Sequence, residues 1–144
     1  MTRSIRARAR ARREEGQAYV EFAFVLPLLL VIVMGIIQFG NAFRTYITLT
    51  DAVRVGARQA AVSRSIDPES ARVPLIESKI KSSAVSLDPT KLNITVTPQD
   101  AGGAPGWYAS GDVTVRASYP FKINLLGIVV FDSTINSRTT ERVE

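Results

Sequence analysis

Gly16-Gln17-Ala18-Tyr19-Val20-Glu21-Phe22 is the stretch on which the reading of this chain turns. It closes an arginine-rich leader and opens a long apolar run. From Phe22 to Phe43 there are 22 residues without a formal charge. As a helix rising about 1.5 Å per residue, that run reaches roughly 33 Å, enough for a hydrocarbon core of about 30 Å. One carboxylate, Glu21, stands at the mouth of the run, five residues past Gly16. Ionisable groups at such a position are costly and usually functional. The run therefore predicts a membrane helix, and Glu21 becomes its first candidate functional residue.

Working outward, the leader explains the charge of the whole chain. With 144 residues there is room for one small domain beside a membrane segment. The net charge of +5 first suggests a nucleic-acid partner. Arg3, Arg6, Arg8, Arg10, Arg12 and Arg13 supply six of the eighteen basic residues, however, and the leader holds only Glu14 and Glu15 as acids. Beyond Gly16 there remain twelve basic and eleven acidic residues, a net of +1. The basic character belongs to residues 1–16, where an Arg cluster beside an apolar span reads as a positive-inside signal. That keeps the leader in the cytoplasm, and no nucleic-acid partner is expected. Cysteine and histidine are both absent. Disulfide stapling is thereby excluded, thiolate and imidazole metal ligands are missing, and so is the commonest general base.

Residues 17 to about 64 read as one helix. Pro27 lies inside its apolar part and has no N–H to give to the carbonyl of Ala23, so a kink is expected there. The outer half carries apolar groups at Phe43, Tyr46, Ile47, Thr50, Val53, Ala57, Ala60 and Ala61, close to a 3.6-residue period. Ala52, Gly56 and Ala60 fall four apart and form a small-residue stripe that permits close backbone approach. Packing against the chain's own domain and packing against another subunit both remain open for that stripe. Asp67-Pro68-Glu69 reads as a helix start with Asp67 as cap. Leu75, Ile76, Ile80 and Ala84 then make one face of a short helix ending near Ser86.

Three alternating segments follow, around Leu92–Val96, Val113–Tyr119 and Ile135–Thr139, and they read as strands. A Gly/Pro-rich loop between the first two carries Trp107 and Tyr108. The apolar segment 121–131 is too short to span a bilayer as a helix. A place in the core is its first assignment, against a membrane-surface loop or a partner site. The expected fold is α+β: a long N-terminal transmembrane and amphipathic helix with a small three-stranded antiparallel sheet on its outer half. The corresponding division is 1–16 leader, 17–43 transmembrane helix and 44–144 extracytoplasmic domain.

Gly16 followed by Glu21-Phe22 and an apolar helix resembles the processing site of type IV pilin-like precursors. The longer string Gly16 to Leu30, with Gly35-Ile36-Ile37-Gln38-Phe39-Gly40 and the small-residue helix Asp51 to Ala61, is similar to the TadE-like family of the Tad (tight adherence) pilus system. The resemblance is dense from Gly16 to Ala61. It implies a pilin-like arrangement, cleavage after Gly16 by a prepilin peptidase, and Gln17 as the new N-terminus. It further implies that Glu21 pairs with the Gln17 amine of a neighbouring pilin-like subunit, fixing register during assembly. The alternative for Glu21 is a position at headgroup level with no partner. One position departs from the family pattern: Glu is expected where Gln38 stands. The chain is longer than the main pilus subunit of that system, so a minor (pseudopilin) component is implied.

No catalytic, cofactor or metal site is read from the sequence. No nucleophile elbow or phosphate-binding glycine loop is present, and Ser82-Ser83 beside Lys79 and Lys81 reads as a solvated helix face. The expected role is therefore that of a peptidase substrate and assembly component in the cytoplasmic membrane, with its C-terminal domain periplasmic or extracellular. Two other readings stand beside it. One is an uncleaved single-pass anchor that scaffolds a membrane complex. The other is a secreted binding domain released after Gly40-Asn41-Ala42.

Overall fold

Among residues 16–61 the apolar pattern changes its spacing near Leu49, and the structure changes with it. The computed structural model describes residues 2–125 and 127–144. Met1 of the leader and Leu126 of the 121–131 segment lie outside the described residues, as do the side chains of residues 2–15, Leu125 and Ile128. Helix α1 runs Thr2–Ala61, through Gly16 and Pro27. The chain divides into two units, Met1–Phe39 and Gly40–Glu144.

In the first unit every described side chain up to Ile37 is exposed. In the second, Leu49, Ala52, Val53, Ala57 and Ala60 are buried, following the i, i+3, i+4 spacing of one helix face. Phe43, Tyr46 and Ile47 were expected on that face but are exposed. The partly covered positions of this unit before Leu49 are Ala42, Thr45 and Thr48, the last within 3.4 Å of the Ser86 hydroxyl, so Phe43, Tyr46 and Ile47 point to the sides of that face.

The carbonyl groups at the end of α1 would be orphans without caps. The Ser63 hydroxyl, itself buried, donates to the Gln59 carbonyl. The Glu144 amide donates to the Ala61 carbonyl at 3.0 Å, tying the far end of the chain to the helix terminus.

A one-turn 3-10 helix at Glu69–Ala71 leads into α2, Arg72–Ser83. Asp67 caps neither: Pro68 and Ala71 stand at the two N-cap positions, without side-chain bonds. Pro74 sits in the first turn of α2, where its missing N–H has no intrahelical partner to lose. Of the expected apolar face, Ile76, Ile80 and Ala84 are buried while Leu75 faces out.

The sheet is antiparallel in the order β1-β2-β3, with β1 Asn93–Gln99, β2 Asp112–Leu125 and β3 Ile128–Arg142. Its inner face carries Val113, Val115 and Ala117 from β2, with Ile94 and Val96 of β1 beside them, against α1 and α2. The fold is α+β.

The 121–131 segment is not core. It forms the far ends of β2 and β3 and the turn at Gly127, whose φ of +86° suits glycine. Val129, Val130 and Phe131 are all more than half exposed there. Most of the segment folds back on itself as a hairpin.

A turn before β1 is fixed by Asp88, whose Oδ1 accepts from the Thr90 hydroxyl at 2.7 Å and the Thr90 amide at 3.0 Å. These bonds hold its carboxyl below the usual carboxylate range. Because the folded-state value is depressed, the associated stability is present above the ordinary Asp pKa and lost as pH falls through the lowered one.

The small-residue stripe meets the chain's own α2. A Cβ built on Gly56 would lie 2.3 Å from Ile80 Cγ1 and 2.5 Å from Cδ1, and Ile80 is itself fully buried. Gly56→Val should therefore overpack this contact by about 1–3 kcal/mol. Ile80→Ala should empty it and cost about 2–5 kcal/mol. Val85→Ala, at a position 88% exposed, should stay within about 0.5 kcal/mol. Denaturant unfolding of the detergent-solubilised chain, followed by Trp107 fluorescence, checks the ranking.

Candidate functional site

The candidate site begins where α1 passes from charged leader to apolar surface. Helix geometry places Gln17 and Glu21 one turn apart on the same face. Gly16, Gln17 and Glu21 are all exposed, and a Cβ on Gly16 would meet nothing within 4 Å. The backbone at the Gly16–Gln17 bond is thus open on its side-chain face, although it lies inside a helix. Among the described residues Glu21 forms no ion pair.

The surface that follows sets the energetics. Tyr19, Phe22, Phe24, Leu28, Ile32, Ile36 and their neighbours are exposed without interruption. The most apolar window of the helix has a mean hydropathy of 2.7, and none of it is buried. Ten such side chains leaving water at about 2 kcal/mol each contribute on the order of 20 kcal/mol. A carboxylate even at the centre of a membrane helix opposes this by about 3 kcal/mol. The apolar run wins by a wide margin, so Glu21 does not prevent insertion. This helix anchors the chain to a membrane.

The structure does not bring the sequence-predicted residues together into one place. Gly16, Gln17 and Glu21 share the start of the exposed helix, and Pro27 lies further along it. Ala52, Gly56 and Ala60 belong to the second unit and face its core.

One arrangement was not foreseen. Arg72 is 7% exposed. Its Nε donates to the Ile66 carbonyl at 2.9 Å, and its guanidinium lies 5.6 Å from the centroid of the Trp107 ring. Asp67 and Glu69 each approach it at 3.9 Å. A desolvated guanidinium over an indole is worth up to about 2 kcal/mol. This stack joins the α1–α2 connection to the β1–β2 loop, so Trp107 is held within the domain. The sequence offered only Arg72 standing three residues after Glu69; nothing local pointed to Trp107.

Arg72→Ala should lower stability by about 1–3 kcal/mol and make Trp107 more accessible to acrylamide quenching. Arg72→Lys should fall between, since an ammonium keeps the charge and loses the planar fork. Unchanged quenching in Arg72→Ala would show that the stack does not hold the loop.

Against known proteins, residues 16–58 match the family model described as TadE-like protein. No curated protein and no solved structure matches the chain.

Proposed function

We propose, from the premise that this chain is TadE-like over residues 16–58, that it is a minor pilin-like component of a Tad-type pilus or a related secretion apparatus. It is cleaved after Gly16 by a prepilin peptidase and assembles with other pilin-like subunits through its membrane helix. In this role the chain is a substrate and a structural part, not an enzyme.

The observation that carries the reading is the combination of an accessible Gly16–Gln17 bond, an exposed Glu21 without an ion pair among the described residues, and a fully exposed apolar helix. Each part has a chemical use. A glycine lets a peptidase approach the backbone without meeting a side chain. Cleavage creates an ammonium at Gln17, one helical turn from Glu21. Once the helix leaves the bilayer headgroups for a packed bundle, a carboxylate in low dielectric favours a nearby cation strongly. Within one chain the new terminus frays, so the amine of a neighbouring helix is the better-placed partner. Such a pair sets the stagger between subunits, because no other charge exists between Phe22 and Phe43.

The intact mass and N-terminal residue of protein recovered from membranes of its native host test the reading. A start at Gln17 is expected. A start at Met1 would favour an uncleaved anchor, and a start at Phe43 would mean a secreted domain. Glu21→Ala should leave cleavage largely intact and reduce incorporation into an assembly by tenfold or more, read as the fraction pelleting with filaments. Normal incorporation of Glu21→Ala would remove Glu21 from the assembly step.

A further inference from the structure

The outer face of the sheet carries its charges in rows fixed by strand register. Asp112 stands opposite Arg142, and Lys122 opposite Asp132, whose charged atoms are 2.8 Å apart. Both of these rows balance. Between them, Arg116 stands directly opposite Arg138. Their neighbours on the same face are Thr114, Ser118, Asn136 and Thr140, and Thr95 continues the row on β1. None of these is acidic, and among the described residues neither arginine has an ion pair. Both are exposed, in a groove of about 430 Å³.

Like charges directly opposite on a sheet destabilise it. At a separation of about 5 Å in water the repulsion is roughly 1 kcal/mol or less, so the fold tolerates the row. Two planar guanidinium forks side by side are a receptor for two carboxylates, each able to accept a bidentate pair of hydrogen bonds.

The same chain displays such a pair. Asp67 and Glu69 flank Pro68, whose φ of −74° and ψ of 158° are extended. Both carboxylates turn toward Arg72. They touch it only at 3.9 Å and keep side-chain exposures of 95% and 66%. This corner lies in the helical layer, and the arginine row is on the face of the sheet turned away from that layer. The two cannot meet within one copy.

We propose that the Arg116–Arg138 row of one copy receives Asp67 and Glu69 of a second copy of this chain. The contact joins two different patches, so it is head-to-tail and repeats from copy to copy. Exposed ion pairs contribute only up to about 1 kcal/mol each, so the contact orients copies that are already held together. It therefore rests on the assembly reading above.

The chain has no cysteine, so every disulfide formed in a test is an introduced one. Asn136→Cys beside the arginine row and Ser70→Cys beside Glu69 leave all four charges in place. In full-length protein in host membranes, the double variant under mild oxidation should give a ladder of dimers, trimers and higher species. Each single variant alone should give none.

Arg116→Glu with Arg138→Glu, added to the double-cysteine chain, should reduce the ladder at least tenfold. Adding Asp67→Lys and Glu69→Lys should then restore it, with an unchanged far-UV circular dichroism spectrum confirming the fold. A ladder indifferent to charge reversal, or dimers from a single-cysteine variant, would overturn the proposal. So would the absence of a ladder when Ala18→Cys and Val20→Cys copies do cross-link through the membrane helix, which leaves the assembly reading standing. If neither pair cross-links, copies of this chain are not neighbours and this contact falls, while assembly with other pilin-like subunits is decided by whether the unaltered chain pellets with filaments.

Discussion

Everything in this chain depends on one helix having to satisfy two environments. From Gly16 to Phe39, α1 exposes apolar groups on every side, and water cannot be their solvent. From Leu49 to Ala61 the same helix buries a single face and leaves Asp51, Arg54 and Arg58 outside. The first pattern is circumferential and suits lipid or a bundle of helices. The second is a stripe and suits one layer of protein. The small domain exists to cover that stripe, and its size follows from the stripe's length. Leu49, Val53, Ala57 and Ala60 occupy only a little over three turns, which a three-stranded sheet and α2 suffice to close.

Small residues make this closure tight. Leu49 and Val53 give the core bulk from the helix, but at Ala52, Gly56, Ala57 and Ala60 the bulk comes from the other side, from Ile76, Ile80, Val113 and Val115. Along these small residues the helix offers backbone and the domain supplies volume. That division places the burden of specificity on Ile80, which occupies the space a side chain at Gly56 would need. It also explains why the end of α1 is fastened by Ser63 and by the Glu144 amide. A terminus packed this closely leaves its last carbonyls little access to water.

Much of this was legible in the residues. The membrane helix follows from the charge-free run Phe22 to Phe43, the three strands from alternation, and the sheet-on-helix arrangement from the need to bury those faces. Where the sequence misled, the reason is that an apolar face looks the same whatever covers it. Phe43, Tyr46 and Ile47 are apolar near the buried stripe, but the half-buried positions there are the less apolar Ala42, Thr45 and Thr48. The 121–131 run reads as core because it is apolar, yet Gly127 in its middle turns it back on itself as a hairpin. Long-range pairings were the least visible. Alternation places Arg116 and Arg138 on the polar face of their strands, but only the register sets one opposite the other. The Arg72–Trp107 stack joins residues 35 apart in the chain, with no local pattern to announce it. At the candidate site, Gly16, Gln17 and Glu21 were read from local spacing along one helix, and the structure places all three at the start of its exposed apolar part.

The distribution of charge gives these local features their weight. The leader holds six arginines, and the remainder of the chain is close to neutral at +1. A nearly neutral body exerts little long-range attraction, and at physiological salt a charge is screened beyond about 8 Å. Selectivity in such a protein comes from contact rather than from steering. Among the described residues, two features without ion pairs bear on assembly: Glu21 at the mouth of the apolar helix, and the arginine row on the sheet. Each belongs to a surface whose other charges are absent or balanced, so each can decide register without competition from its neighbours. In the proposed assembly, the lone charge in the apolar run would set the axial stagger of helices, and the charged row would orient one copy's sheet against the next. Together the two would define how successive copies are placed, with hydrophobic burial supplying the affinity and these few charges supplying the geometry.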